Sequence, residues 1–389
     1  MLSPDPTRSA IVVGAGPGGL ATAIALRRVG FDVRVYEREE RPGVGGAGLN
    51  VAPNAMRVLD RLGLAESLIR EAGPPPTGAE IRTADGRVLV HIDVASITEL
   101  LAAPSLAIRR SLLQQVLLSA LPAGVVVGGR ACTSVTHDAD LARVEFADGG
   151  ADTADLVVGA DGLRSVVRSA LGTGRIRYTG STSWRTLVPA AKATSVPLRS
   201  GFEAWGDGYR FGMGHLGEQV YCFATAPAPE NTTADGDERG ALLNIFGDWA
   251  APVPELIAAF DENALIRTDI NELVDVEHWA SGRLVVIGDA AHAMTPDLGQ
   301  GACQALEDGV FLAAALTDAV DIPEALRAFE QRRRRRPEGI ARQARSVSRV
   351  VQSTSPLAGL VRRLVRLTPT RAVTRRYVKV ADVELPALP

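Results

Sequence analysis

The sequence predicts an α/β protein: a Rossmann-like dinucleotide-binding domain, a β-sheet domain inserted into it, and helices at the C-terminal end. Three observations carry this. The apolar run Ala10-Ile11-Val12-Val13 leads straight into Gly14-Ala15-Gly16-Pro17-Gly18-Gly19 and then a helical pattern. Two further apolar runs, Asp155 to Val158 and Arg283 to Ile287, pass into Gly159-Ala160-Asp161-Gly162 and Gly288-Asp289. Residues 177–272 change to strands with polar turns. Strands buried on both faces of a parallel sheet read as continuous apolar runs, whereas half-buried strands alternate.

The first element is a βαβ unit. A strand over 10–13 is followed by the glycine cluster, a helix from Leu20 to Val29, and a strand from Asp32 to Tyr36 ending in Glu37. Gly14 permits the tight turn, Gly16 lets backbone approach a pyrophosphate, and Gly19 lets helix and strand pack closely. The helix N-terminus offers unpaired N–H groups and a partial positive charge. Glu37 sits near the offset of the carboxylate that binds a ribose 2′-OH. This fingerprint does not by itself separate NAD from FAD.

Pro53 to Leu68 reads as helix, and Gly73-Pro74-Pro75-Pro76 breaks it. Residues 78–104 alternate around the turn Asp85-Gly86, and Ser111 to Leu121 returns to helical spacing. Residues 125–158 read as hairpin strands with a turn at Asp148-Gly149-Gly150. In the inserted part, strands are expected at Tyr209–Met213 and Gln219–Thr225, with a helix near 241–260. Long helices follow from about 301. The nucleotide-binding domain is therefore expected in three pieces, 1–76, 105–176 and 273–350. The substrate domain takes 77–104 and 177–272, and 351–389 forms a C-terminal helical segment.

Composition bounds the function. The 389 residues are 46% hydrophobic and 22% charged with net charge −3, which gives no field for nucleic acid. Cys132, Cys222 and Cys303 have neither CxxC nor metal-ligand spacing; they read as free thiols in a reducing cytoplasm, with no metal site. The N-terminal Met1 to Pro6 is no signal peptide, and no apolar run reaches membrane-spanning length. A cytoplasmic monomer or homodimer taking a small molecule is expected. Arg332 to Arg336, ending at Pro337, reads as the solvated end of a helix. The basic, amphipathic stretch Leu360 to Leu367 could lie on a membrane surface, but packing against the body is the default.

The other two motifs add chemistry. Asp161 at a strand end either bonds a cofactor hydroxyl or stabilises its own turn. After Asp289 come Ala290-Ala291-His292, Pro296, and Gly299-Gln300-Gly301-Ala302 opening a helix. A helix N-terminus at the N1–C2=O edge of a flavin would stabilise the negative charge of the reduced ring, and Gly299 and Gly301 allow the backbone to reach it. His292, beside a turn, reads as a packing residue.

With these motifs in order, the chain resembles the single-component, class A FAD-dependent monooxygenases, the group of p-hydroxybenzoate and salicylate hydroxylases and tetracycline-inactivating monooxygenases. The resemblance covers most of residues 8–350. Glu37-Arg38 matches the ribose-binding pair. Gly46-Ala47-Gly48-Leu49 with Pro53-Asn54-Ala55 matches the segment passing the isoalloxazine. Ile108-Arg109-Arg110-Ser111-Leu112-Leu113 matches the pattern that places Arg110 near FAD, and Gly288 through Asp308 matches very closely. The resemblance implies a GR2-type FAD-binding domain in which Asp161 helps hold the pyrophosphate region and transient NAD(P)H. Asp289 binds the ribityl–pyrophosphate part, and Pro296 with residues 298–302 flanks the ring. It implies that NAD(P)H reduces FAD and that O₂ adds at flavin C4a. The hydroperoxyflavin then passes one oxygen to an aromatic or polyketide-like molecule. A flavin reductase of the same fold is the alternative. A halogenase is disfavoured because its Trp-x-Trp-x-Ile-Pro motif is absent, and a non-catalytic redox sensor because the ring-edge motif is intact.

The substrate pocket is expected on the strands Gly208 to His215 and Gln219 to Thr225. Alternation puts Phe211, Met213 and His215 on one face, and Tyr221 and Phe223 share a face of the partner strand. Met213, His215, Tyr221 and Phe223 are expected to line the pocket with Pro296. Arg210 falls on the opposite parity, yet similar proteins often carry a basic residue there. Trp184-Arg185 is expected to approach the flavin edge. The tyrosine that deprotonates phenols in some family members falls near Ala204 here, so His215 or Tyr221 is the candidate general base.

Overall fold

The computed structural model describes residues 8–43, 46–193, 200–234 and 236–389; the N-terminal Met1 to Pro6 lies outside them. Its centre is a six-stranded sheet in the order Ala280–Ser281, Leu284–Val286, Leu156–Gly159, Ser9–Val13, Asp32–Tyr36, Val126–Val127. All neighbours run parallel except the short edge strand Ala280–Ser281. The three apolar runs are its middle strands, and every residue of Leu156–Gly159 and Leu284–Val286 is buried. Val126–Val127 lies parallel to Asp32–Tyr36, not in a hairpin as residues 125–158 suggested. The remaining strands there, Cys132–His137, Ala142–Phe146 and Ala151–Ala154, do form an antiparallel meander.

Two helices cover one face and converge on the same end of the sheet. Pro17–Arg28 is buried almost throughout, and Gly301–Leu316 packs along it. A Cβ on Gly18 would stand 2.8 Å from the Ala305 Cβ, and one on Gly309 would stand 2.6 Å from the Thr22 hydroxyl. The small residues let the two backbones approach and run side by side in the same direction.

The second layer is a seven-stranded, mostly antiparallel sheet: Ile266–Val274, Arg175–Pro189, Gln219–Pro227, Arg210–Leu216, Ser200–Trp205, Gly78–Thr83, Val88–Ile92. One face packs on Glu238–Phe246 and Val253–Ala258 as a separate apolar cluster. Those two helices replace the single one expected near 241–260; Gly247 and Pro252 interrupt it. The helix expected over 53–68 is likewise two, Pro53–Arg61 and Ala65–Ala72, divided at Gly63 with φ +68°. A two-stranded ribbon, Gly48–Val51 with Leu106–Arg109, bridges the layers.

The C-terminal helices correct another expectation. Ile322–Arg333 and Arg335–Val351 meet at Arg334, and Pro337 sits in the first turn of the second helix, where its missing N–H costs nothing. The arginine run is thus a helix junction, with Arg333 interior and Arg334 and Arg336 half-buried. Arg333 is 1% exposed and pairs with Glu307 at 3.0 Å and Asp308 at 2.6 Å. Arg336 also binds Glu307, at 2.9 Å. The stripe in Leu360 to Leu367 does not pack on the body either: Leu360, Val361, Leu364 and Leu367 are all exposed.

Candidate active site

A cavity of about 900 Å³ opens at the start of the helix Pro17–Arg28; its lining runs from Glu37, Arg38 and Arg41 past Gly14 and Gly16 to Gly46, Arg110 and Asp161. Gly14 has φ +105°, and a Cβ there would lie 2.4 Å from the Ala160 carbonyl oxygen, so only glycine fits where the neighbouring strands Ser9–Val13 and Leu156–Gly159 end. A Cβ on Gly19 would meet the Gly14 carbonyl at 2.0 Å. Gly16 is open on its cavity side except for the Arg110 guanidinium 4.0 Å away. The helix beginning at Pro17 has no side-chain cap, so its first N–H groups face the cavity unpaired. The Glu37 carboxylate accepts from the Ala15 N–H at 2.8 Å and so stands against the glycine loop. Arg38 is exposed along the cavity wall. The Arg110 stem crosses Gly46, where a Cβ would come within 3.3 Å.

Asp161 uses one oxygen to accept from the Val166 N–H at 2.7 Å. Its other oxygen is buried with no partner, and burial pushes its carboxyl up. Such an orphaned acceptor in a cavity that also holds an uncapped helix N-terminus suits a ligand carrying both hydroxyls and phosphates. Asp161 thus caps its own turn and still presents a free oxygen.

The segment from Gly288 to Ala302 lies outside the lining of this cavity. Asp289 opens a short helix after Gly288, and its Oδ1 lies 3.7 Å from where a Gly301 Cβ would be. Pro296 is exposed at the start of a 3₁₀ turn, and Gly299 has φ +60° just before the long helix. That helix also lacks a side-chain cap, leaving the N–H groups of Gly301, Ala302 and their neighbours free. Gln300 turns its side chain inward: its Oε1 accepts from Asn54 at 3.0 Å and from Gln304 at 3.1 Å. Asn54 and Gln304 both donate to Glu307, which Arg333 and Arg336 hold from behind. His292 bonds Asp308 at 2.7 Å and packs on Trp279, as a packing residue should. Asp308 is wholly buried, which favours its neutral form, but Arg333 and then His292 outweigh burial and hold it down at about 2.

The sheet face over this segment differs from the expected one. Register pairs Gly212 with Phe223, Gly214 with Tyr221, and Arg210 with Thr225. Directly opposed residues share a face, so Tyr221 and Phe223 lie with Arg210 and not with Phe211, Met213 or His215. Phe211 and Met213 point into the apolar cluster with Val220 and Cys222, and His215, opposite Val220, shares their side. Met213 and His215 therefore do not line a pocket with Tyr221. Trp184 is also buried in that cluster, its Nε1 donating to Glu238 at 2.6 Å. Arg185, opposite Phe223, is the one of that pair on the site face.

The Arg210 face of the sheet meets the backbone at Gly48 directly. A Cβ on Gly48 would lie 2.3 Å from the Tyr221 ring. Arg210 stacks 5.6 Å from the Phe223 ring centre. It is gripped from both sides, by Glu203 at 2.7 Å and by Asp297, next to Pro296, at 2.6 Å. Burial opposes its charge, but Glu203 and Asp297 more than offset it and raise its pKa. The Asp297 side chain is fully buried; burial pushes its carboxyl up against the pull of Arg210, and its Oδ2 has no partner. Sequence reading missed Glu203 and Asp297. Asp297 was within reach, because it follows Pro296 inside the ring-edge motif; Glu203 shows itself only through strand pairing.

Neither expected base suits the part. Burial pushes the Tyr221 hydroxyl up to about 12, and His215 is on the wrong face. The thiols are equally quiet: burial raises Cys132 to about 11 and Cys303 to about 12, and pushes Cys222 up further. Among the described residues no cluster could hold a metal ion, and no helix is long and apolar enough to cross a membrane.

A family profile for an FAD binding domain matches residues 7–205 and 267–344. Aurachin C monooxygenase/isomerase of Stigmatella aurantiaca is 36% identical over 94% of this chain and 96% of its own. The 3-amino-4-hydroxybenzoate 2-monooxygenase of Streptomyces cremeus is 37% identical, covering 87% of this chain and 86% of its own. Klebsiella pneumoniae HpxO, solved with FAD and uric acid, superposes with a TM-score of 0.89 at 30% identity, covering 96% of each chain.

Proposed function

The chain belongs to the FAD-dependent monooxygenases built on this FAD binding domain, and from that premise we propose that it inserts one atom of O₂ into an aromatic or polyketide-like small molecule. The balance is NAD(P)H, H⁺, O₂ and substrate giving NAD(P)⁺, water and the oxygenated product. FAD, when bound, supplies the two-electron chemistry that activates O₂. What this chain supplies is placement. Glu37 and Arg38 would take the adenosine ribose, the glycine loop and Arg110 the pyrophosphate, and Asp161 and Asp289 the hydroxyl-bearing chain. The uncapped N-terminus at Gly301 would stabilise negative charge on the ring. We take residues 1–76, 105–176 and 273–350 as the cofactor side, 77–104 and 177–272 as the substrate side, and 351–389 as a helical appendage. The protein would work in the cytoplasm as a monomer or homodimer.

The observation that carries the substrate reading is the site face of the sheet. Tyr221 and Phe223 offer aromatic surface beside the Gly48 backbone. Arg210 is a fixed cation held by two carboxylates, and Asp297 keeps one buried acceptor oxygen free for a substrate N–H or O–H. Flat rings with a polar substituent suit that surface, as do the aminohydroxybenzoate and urate that relatives are named for. The test is NAD(P)H consumption by the FAD-loaded protein with phenols, aromatic acids, quinones and polycyclic ketones. Acceleration by one class, with a product one oxygen atom heavier, is expected. Oxidation that no ring compound accelerates, with no oxygenated product, would refute it.

A further inference from the structure

The helix Pro356–Leu364 and the turn Val365–Leu367 after it are turned inside out. Leu357, Leu360, Val361 and Leu364 stand at positions i, i+3, i+4 and i+7, one helical face, and Leu367 continues it. These five side chains are 39–71% exposed. The opposite face is the buried one, and it carries Ala358 and Arg362. Arg362 sets this orientation. Its guanidinium donates to the carbonyls of Val350 at 2.9 Å and Ser353 at 2.7 Å, and to Asp207 at 2.7 Å. A contiguous apolar patch held outward by a buried, fully engaged arginine marks a surface that something covers.

Charge says what covers it. Between Pro356 and Ala381 the chain has seven basic residues and no acidic one, in a protein of net charge −3. Arg366, Arg371, Arg375, Arg376 and Lys379 are all exposed. An outward leucine stripe flanked by unopposed cations complements an interface with acyl chains beneath and anionic headgroups above. A second copy docking through the same patch would oppose these cations to themselves, because a two-fold interface is self-complementary.

We propose that residues 357–379 dock this protein on an anionic phospholipid surface. The segment also adjoins the site. Asp207, which Arg362 holds, lies in the turn that joins the strands carrying Glu203 and Arg210. Docking would therefore set the site beside the bilayer. The consequence, that the aromatic substrate is a lipophilic one taken from the membrane, rests on the monooxygenase reading; the docking does not.

The experiment is flotation of the FAD-loaded protein with vesicles of phosphatidylcholine alone or mixed with phosphatidylglycerol. Binding is expected only to the mixed vesicles, weakening as salt is raised. The paired change Leu360→Glu, Leu364→Glu should weaken it on the order of tenfold. The triple change Arg371→Glu, Arg375→Glu, Arg376→Glu should weaken it by at least about fivefold per residue. Both variants should keep their FAD and their NAD(P)H turnover in solution, since every altered side chain is exposed. Absence of binding to phosphatidylglycerol vesicles overturns the proposal, as does binding that neither variant changes. A dimer in sedimentation that Leu360→Glu splits into monomers also overturns it, in favour of a second copy. Flotation needs no turnover, so failure to oxygenate a lipophilic ring would reject only the substrate consequence.

Discussion

Replacing Arg333 by Met keeps the bulk and removes the charge at the centre of a buried network. Arg333 is 1% exposed and touches two carboxylates that are wholly buried, Glu307 at 3.0 Å and Asp308 at 2.6 Å. It also bonds the Gln304 carbonyl at 3.0 Å and the Gln304 side chain at 2.8 Å. Breaking a buried pair by removing one partner costs about 3–5 kcal/mol, because a charge stays behind without compensation. Arg336 still serves Glu307 and His292 still serves Asp308, which puts the expected loss near the lower end. Arg332, next in sequence but exposed over Phe311, is the control, and Arg332→Met should cost less than about 1 kcal/mol. The acid limb moves as well. Asp308 is held at about 2 against an ordinary 3.8. A depressed carboxyl contributes stability above its unfolded pKa and loses it as pH falls through the folded value, here about 2 kcal/mol between pH 4 and 2. Without Arg333, burial drives that carboxyl up, and acid unfolding should begin at higher pH. Urea unfolding at fixed FAD excess, followed by tryptophan fluorescence from pH 7 down to 2, reads both effects. Equal losses for the two variants, or an unmoved acid limb, would refute the reasoning.

Other substitutions test the site. Gly48→Ala places a methyl inside the Tyr221 ring and should cut retained FAD, seen as the flavin-to-protein absorbance ratio; adding Tyr221→Ala should restore it if the clash is the cause. Tyr221→Phe should leave the pH profile of turnover unmoved below pH 10, because a hydroxyl pushed up to about 12 stays protonated there; a shifted limb would reinstate Tyr221 as the base. Asp161→Ala removes both the cap on the Val166 N–H and the orphaned oxygen, and should weaken FAD binding by about tenfold or more, measured by flavin fluorescence. Asp297→Asn keeps shape but loosens Arg210, and should raise the KM for the ring substrate more than it lowers kcat; a pure stability loss would count against a binding role.

Local sequence was enough to name the tight turns that end the central strands. The glycine loop, Glu37, Asp161 and the segment from Gly288 to Asp308 each encode a tight turn or a close approach, and such constraints are satisfied within a few residues of chain. The three apolar runs likewise named the middle of the parallel sheet, because burial on both faces leaves no polar position. The substrate side was not legible in the same way. Alternation divides a strand into two faces but does not say which face a neighbour shares; that depends on register, and Arg210 opposite Thr225 puts even positions of one strand with odd positions of the other. One residue of slip would have made Met213 and His215 the site face; the observed register buries Met213 and brings in Arg210. The arginine run was misread for a related reason. Charge in a sequence reads as solvent, and only packing of the helix Gly301–Leu316 against the one ending at Arg333 supplies the buried carboxylates that draw Arg333 and Arg336 inward. Sequence by itself therefore determined the chemistry of the backbone turns, whereas strand register and helix packing, which join residues far apart in the chain, decided which side chains share the face of Arg210 and which hold the core.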